Sequence, residues 1–290
     1  MTDNIVKTIQ NCCIHISDLI RTKHTCELSS IMTDSNISGD EVKQLDILSN
    51  QILVDDLIKC NDVKTVGSEE EDHLVYTNNK DAKYLVCFDP LDGSSNIDCN
   101  ITTGTIFGIY EYKNDIIENG HNLVAAGYCL YGGATQFIVA NDTGVKMYNL
   151  YHNTFELMND DLKMKNKSNV YSINESNKHR WTDRRFKAYV ESCITNNYTA
   201  RWVGSLVADA HRTIIKGGFF AYPADTKLTN GKLRVLYEAY PFAYIFEKAG
   251  GRSSNGELKS LLDLPFPKDI HQKTPLILSD IYEYPVFESS

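Results

Sequence analysis

Apolar positions in the first third of the chain recur at helical spacing: Ile5, Ile9, Cys12, Ile16 and Leu19, then Val42, Leu45, Leu48 and Ile52. Stripes on a 3.6-residue period predict two amphipathic helices. The pattern then changes. Residues 84–88, 105–110, 123–131 and 136–140 are rich in aromatic and β-branched side chains and predict strands, with Asn141-Asp-Thr-Gly144 as a hairpin turn. Residues 148–169 are polar, with lysines and asparagines, and read as a connection between two layered halves. Beyond them, 170–174 and 219–222 read as strands and 204–216 and 234–249 as helices, the last strained at Pro241 and ended by Gly250-Gly251.

At 290 residues and 42% hydrophobic content, the chain suits one large domain or two modest ones with a real core. A formal charge of −9, with no Lys/Arg cluster interleaved with aromatics, argues against nucleic acid as a partner. No segment is apolar enough to span a bilayer, and residues 1–10 lack the basic region and long apolar stretch of a secretory signal. The expected setting is the cytoplasm, with no membrane partner; a plastid form made without its transit peptide stays open. The eight cysteines show no CxxC spacing and read as reduced core residues.

Candidate chemistry follows the apolar run Tyr84-Leu-Val-Cys-Phe88, in Asp89-Pro-Leu-Asp-Gly-Ser-Ser-Asn-Ile-Asp98. Pro90 fixes φ and bends the chain, so Asp89 and Asp92 can converge on one divalent cation although a regular strand would alternate them. Gly93-Ser94-Ser95 can then turn successive N–H groups toward an anion, the hydroxyls adding donors. Hard oxygen ligands beside an anion cradle suggest Mg²⁺ or Mn²⁺. The same residue types also make an ordinary surface turn. Ser68-Glu69-Glu70-Glu71-Asp72, one strand-length earlier, reads on its own as a solvated acidic loop.

Asp89-Pro-Leu-Asp-Gly-Ser-Ser-Asn-Ile-Asp98 with Gly104-Thr-Ile-Phe-Gly-Ile-Tyr110 resembles class I fructose-1,6-bisphosphatase, within the wider superfamily of lithium-sensitive, Mg²⁺-dependent sugar and inositol phosphatases. So do Asn122-Leu-Val-Ala-Ala-Gly-Tyr128, Val203-Gly-Ser-Leu-Val-Ala-Asp-Ala-His-Arg212 and Asn230-Gly-Lys-Leu-Arg-Val-Leu-Tyr-Glu238. The resemblance implies an α/β fold of stacked α/β/α/β/α layers with mixed sheets. Residues 1–162 would form an N-terminal half with the metal ligands and a regulatory region, and 163–290 a C-terminal half that binds the sugar phosphate. It implies metal ligation by Glu69, Asp89, Asp92, Glu238 and the carbonyl of Leu91, with Mg²⁺ expected and Mn²⁺ or Zn²⁺ as alternates. It also implies that Glu70 handles the attacking water, assisted by Asp40 and Asp46 of a segment resembling the family's mobile catalytic loop. Asp46 reads equally as a plain exposed helix acid.

For the substrate, Gly93, Ser94 and Ser95 would cradle the reacting phosphate. Lys232 and Arg234, flanking Leu233 on a strand-like stretch, would face one side and suit a sugar-phosphate anion. The resemblance adds Asn174, Arg201 and Tyr222 as a pocket for the distal phosphate. In the family that arginine reaches a neighbouring subunit's site, which implies a homo-oligomer, a tetramer by resemblance; Arg201 also reads as a plain surface arginine. Trp202 and Asn177 stand where the family usually places tyrosines. Losing one charge-assisted bond costs about 1.5–3 kcal/mol, roughly tenfold or more in binding. Thr25, Glu27, Lys83 and Tyr84 resemble an AMP site. There, however, Cys26 replaces a glycine, His121 replaces an arginine, and only ten residues separate Glu27 from Ser38 where the family has a full helix. Weak or absent AMP inhibition is the expectation.

The expected activity is release of the 1-phosphate of fructose 1,6-bisphosphate by metal-activated water, a step of gluconeogenesis. Two other readings stay open. One is a phosphatase for another sugar bisphosphate such as sedoheptulose 1,7-bisphosphate, suggested by the altered pocket. The other is a non-catalytic regulatory homologue, against which clustered, mutually repelling carboxylates speak.

Overall fold

The computed structural model describes residues 2–22 and 37–290, with side chains from residue 44 onward in the second span. Helices α1 (Thr2–Thr22) and α2 (Ile37–Leu57) fall on the two apolar stripes. Eight strands follow: β1 (Val63–Ser68), β2 (Val75–Tyr76), β3 (Tyr84–Asp92), β4 (Thr103–Glu111), β5 (Leu123–Tyr131), β6 (Thr135–Asn141), β7 (Gly144–Tyr151) and β8 (Thr154–Asn159). They form one sheet in the order β2-β1-β3-β4-β5-β6-β7-β8, in which β1 and β3 alone are parallel.

β3 is buried along its whole length because both faces are covered. Leu85 and Cys87 enter one core, while Tyr84, Val86 and Phe88 enter another shared with α1 and α2. A doubly covered strand therefore prints as a continuous apolar run. Phe107 and Phe137 stack on the helix side with centroids 5.6 Å apart; truncating either to alanine costs about 3–5 kcal/mol.

Strands β7 and β8 correct the reading of residues 148–169 as a connection. The hairpin between them turns at His152 and Asn153, both at positive φ (43° and 59°), a pairing whose twist matches the strands. Only Phe155 of β8 is buried, so neither hydrophobic period shows in the sequence.

The C-terminal half contains β9 (Val170–Ser172), α3 (Arg184–Thr195), β10 (Thr199–Ala200), α4 (Leu206–Lys216), β11 (Phe219–Tyr222), β12 (Leu233–Arg234), α5 (Tyr240–Lys248), β13 (Arg252–Ser254), β14 (Lys273–Thr274), β15 (Leu276–Ser279) and α6 (Glu283–Glu288). Five strands form a second, mixed sheet in the order β10-β9-β11-β15-β13, and β12 pairs with β14. Val207 and Ile214 of α4 and Phe242 and Phe246 of α5 share a core with Cys87 and Tyr128 of the first sheet and Phe220 and Leu278 of the second. Phe219 and Ile277 face the other way, onto Tyr189 of α3 and Phe287 of α6. The layers thus run α1/α2, eight strands, α4/α5, five strands, α3/α6, the expected α/β/α/β/α stack. The cysteines among the described residues are free thiols, most of them buried.

The helix expected over 234–249 is a second correction. Leu233–Arg234 is strand, Val235–Ala239 is a π-helical turn, and α5 begins at Tyr240. Pro241 lies in the first turn of α5, where no N–H is needed, so it starts that helix instead of straining it. Tyr240 N–H reaches back to the Val235 carbonyl. The Leu236 carbonyl that it bypasses accepts Tyr110 OH at 2.6 Å.

Candidate active site

A bulge lets β3 deliver two acids to one point. The β3–β4 ladder pairs Asp89 with Ile106 and Asp92 with Gly104, three steps on β3 against two on β4. The extra residue cancels the alternation that would send the two carboxylates to opposite faces. Thr105 Oγ1 donates to the Pro90 carbonyl at 2.8 Å and Leu91 N–H to Asp89 Oδ1 at 2.9 Å, which fixes the bulge. Asp92 Oδ2 accepts from Ser205 Oγ and Val207 N–H, both at 2.8 Å. Ser205 stands at the N-cap of α4 yet does not cap its own helix. Asp92 takes an orphan N–H in its place, with its charge at the positive end of the helix.

Further acids arrive from neighbouring elements. β1 runs parallel to β3 with Ser68 opposite Phe88, and Glu69 N–H bonds the Phe88 carbonyl at 3.1 Å, so Glu69 and Glu70 leave β1 beside Asp89. Glu238 projects from the π turn with Oε2 held by Arg234 N–H at 2.6 Å. Donor oxygens of Asp89, Asp92 and Glu238 lie within 4.8 Å of one another, and these residues are only 3%, 9% and 4% exposed. Burial first, then Glu69 and its other acidic neighbours, holds Asp89 well above the usual carboxylate range. Glu238 is raised by burial and Glu69, and burial lifts Asp92 against the pull of Val207 and Ser205. The cations nearby are Arg234, whose Nη1 meets Glu69 Oε1 at 2.8 Å, and Lys232, 3.3 Å from Tyr222 OH. Buried carboxylates that repel one another with so little compensation fit a divalent cation, and an all-oxygen donor set suits a hard one.

The cleft encloses about 220 Å³. All five expected metal ligands line it, together with Asp46, Glu70, the Gly93-Ser94-Ser95 turn, Tyr222, Lys232 and Arg234. Gly93 is left-handed (φ 74°), and a Cβ there would stand 2.7 Å from Ser205 Cβ, so no other residue fits without a shift. Asp46 is lifted to about 7 by burial and by Glu70, against a bond from Ser94. Glu70 is raised by burial and by Glu69.

Other expected residues lie elsewhere. Asn174 caps the turn Glu175–Arg180, accepting from Ser176, and the exposed Arg201 donates to the Ala200 carbonyl; neither lines the cleft. Asn177 spends its amide oxygen on Arg180 at 2.6 Å. Thr25 and Glu27 lie outside the described residues, as does the side chain of Asp40. Lys83 and Tyr84 stand at the start of β3, the end opposite Asp92. Thr8 of α1 contacts Cys60 just ahead of β1, near that end, whereas Ser17 bonds Thr135 beside Tyr131, toward the Asp92 end. The start of α1, and not its end at Thr22, therefore adjoins Tyr84. His121 is exposed and pairs with Asp263 at 2.8 Å.

Ser205, Val207 and Asn50 escape the sequence reading. Asn50 of α2 donates to Glu71 Oε1 at 2.8 Å and accepts from Ser68 Oγ at 2.7 Å, which fastens the acidic segment to the helix that carries Asp46. A hydroxyl opening a helix at Ser205 is a readable signal; a main-chain donor leaves none.

The fructose-1-6-bisphosphatase N-terminal domain model matches residues 2–160 and the C-terminal domain model residues 164–284. The chain is 46% identical over 250 residues to the class 1 fructose-1,6-bisphosphatase of Persephonella marina, covering 84% of this chain and 77% of that protein. It is 41% identical over 281 residues to the cytosolic fructose-1,6-bisphosphatase of Brassica napus, covering 92% and 82%. The crystal structure of Leishmania major fructose-1,6-bisphosphatase in holo form matches with a TM-score of 0.89 at 33% identity, over 98% of this chain and 92% of that one. No helix among the described residues is long and apolar enough to cross a membrane.

Proposed function

This chain belongs to the fructose-1,6-bisphosphatase family, and from that premise we propose that its acidic cleft hydrolyses the 1-phosphate of fructose 1,6-bisphosphate to fructose 6-phosphate and phosphate, a step of gluconeogenesis. The observation that carries this reading is the convergence of Asp89, Asp92 and Glu238 within 4.8 Å beside the left-handed Gly93. Those three, with Glu69 and the Leu91 carbonyl, would hold a divalent cation, Mg²⁺ by the hardness of the donors. When bound, the cation supplies Lewis acidity and offsets the negative charge that keeps water from a phosphate monoester.

The chain's own residues orient the reactants. Gly93, Ser94 and Ser95 offer donors to the phosphoryl oxygens. Burial and the neighbouring Glu70 lift Asp46 to about 7, and burial and Glu69 raise Glu70, so these two carboxyls take the proton of the attacking water; Asp40 joins them by resemblance. Lys232 and Arg234 balance the charge of the sugar bisphosphate. Asn174, Arg201 and Tyr222 bind the distal phosphate in this reading. By the family resemblance, Arg201 serves the cleft of a neighbouring copy in a homotetramer; it stands outside its own cleft. The cytosolic relative favours the cytoplasm as the compartment.

Phosphate release from fructose 1,6-bisphosphate, sedoheptulose 1,7-bisphosphate and fructose 6-phosphate, each with Mg²⁺ and with EDTA, tests the assignment. The highest kcat/KM on the first supports it. Preference for the seven-carbon sugar transfers the assignment to that substrate, and release from none of them rejects the enzyme.

A further inference from the structure

We propose that His271 is a positioning residue for the cation-binding carboxylates, tying the acidic segment that follows β1 to the π turn that carries Glu238. The inference rests on the reading of the cleft as a metal-dependent phosphatase site. His271 lies just ahead of β14 and does not line that cleft. Its Nε2 is 3.0 Å from the main-chain carbonyl of Glu71, across 200 residues of sequence. Its Nδ1 is 2.7 Å from the hydroxyl of Tyr237. A carbonyl only accepts, so Nε2 carries a proton, while Nδ1 meets a phenol that can donate or accept. The ring is a strut between the two contacts. One end sits two residues past Glu69, and the other sits one residue before Glu238.

The cluster needs such a strut. Glu69, Asp89, Asp92 and Glu238 come from three separate elements, and their charges push those elements apart whenever the cation is away. Asp89 and Asp92 are held by the bulge and by α4. The Glu69–Glu71 segment is held on one flank by Asn50, at 2.8 Å from Glu71 Oε1, and on the other by His271. Tyr237 is fully buried, so its hydroxyl offers a fixed anchor. With both flanks held, the carboxylates keep their spacing before the cation arrives, and binding does not have to reorder the segment.

Two substitutions separate the contacts. Glutamine places its amide near the position of Nε2, so His271→Gln keeps the donor to Glu71. Asparagine places its amide near Nδ1, so His271→Asn keeps only the partner of Tyr237. With Mn²⁺ as the probe, calorimetry on the whole folded protein is expected to show binding weakened roughly tenfold or more in His271→Asn and near wild type in His271→Gln. KM for fructose 1,6-bisphosphate at saturating Mn²⁺ is expected to stay unchanged in both. A role confined to stability would lower Tm and leave Mn²⁺ affinity alone. Wild-type Mn²⁺ affinity in a folded His271→Asn overturns the proposal. If that variant does not fold, Tyr237→Phe, which removes one hydroxyl at the far end of the strut, decides in the same way: weakened Mn²⁺ binding supports the strut and unchanged binding rejects it. A wild-type protein that binds no Mn²⁺ rejects the underlying site and this inference with it.

Discussion

Ser205 Oγ donates to Asp92 Oδ2 at 2.8 Å, a bond between residues 113 positions apart. Through it an acid of the first sheet stands in for the cap of a helix packed between the two sheets, so the cation site is complete only when both halves are assembled. Ser205→Ala leaves that oxygen with the Val207 N–H alone. Losing a hydrogen bond to a charged group costs about 1.5–3 kcal/mol, so half-maximal activity should require about tenfold more Mg²⁺. A Mg²⁺ titration of the rate checks this, and an unchanged requirement would remove the hydroxyl from the account.

Gly104 sits opposite Asp92 on β4. A Cβ there would stand 2.3 Å from the Cys129 carbonyl and 2.9 Å from both methyls of Val207. Backbone blocks the way, so the strain cannot be relieved by a rotamer change. Gly104→Ala should destabilise the protein by about 3 kcal/mol and lower kcat, because the displaced α4 carries the donors to Asp92. Urea unfolding at a wild-type midpoint would refute this.

His211 of α4 meets Tyr128 OH through Nδ1 at 2.9 Å, and burial lowers its pKa from 6.5 to about 4. As pH falls, protons therefore bind the unfolded chain first. The contribution to stability is fully present above about 6.5 and is lost as pH drops toward 4, reaching about 3 kcal/mol. Urea midpoints should fall over this window more steeply in the wild type than in His211→Gln. Parallel pH profiles would show that the histidine is not the cause.

Trp202 lies flat on Phe220, with planes 9° apart, and leans on Tyr222 at a centroid distance of 5.5 Å. By the family resemblance, Trp202 takes the place of a tyrosine. Trp202→Tyr is expected to lower KM for fructose 1,6-bisphosphate by up to roughly tenfold with kcat unchanged. Steady-state kinetics decide, and a higher KM would show the indole to be the better fit.

The turn of the site is legible in the sequence because its parts are contiguous: Asp89, Asp92 and Gly93 lie on one buried strand and its exit. Glu238 is legible only through the family resemblance. A π turn has nearly the period of a helix, and what sets Val235–Ala239 apart is a tertiary bond from Tyr110 to the Leu236 carbonyl. Strand β8 stays hidden because it buries a single side chain. His271 and Asn50 act through isolated polar contacts reaching across 200 and 21 residues, and such contacts leave no periodic trace. Which end of α1 adjoins Tyr84 is illegible for a related reason: local motif likeness carries no information about it.

The most direct test of the central claim is phosphate release from fructose 1,6-bisphosphate by the wild type and by Asp92→Asn, with Mg²⁺ and with EDTA. The geometry of Asp89, Asp92 and Glu238 predicts release by the wild type that EDTA abolishes. It also predicts a rate roughly a hundredfold or more lower in a folded Asp92→Asn. Release that persists in EDTA, or that survives the loss of the Asp92 carboxylate, would contradict it.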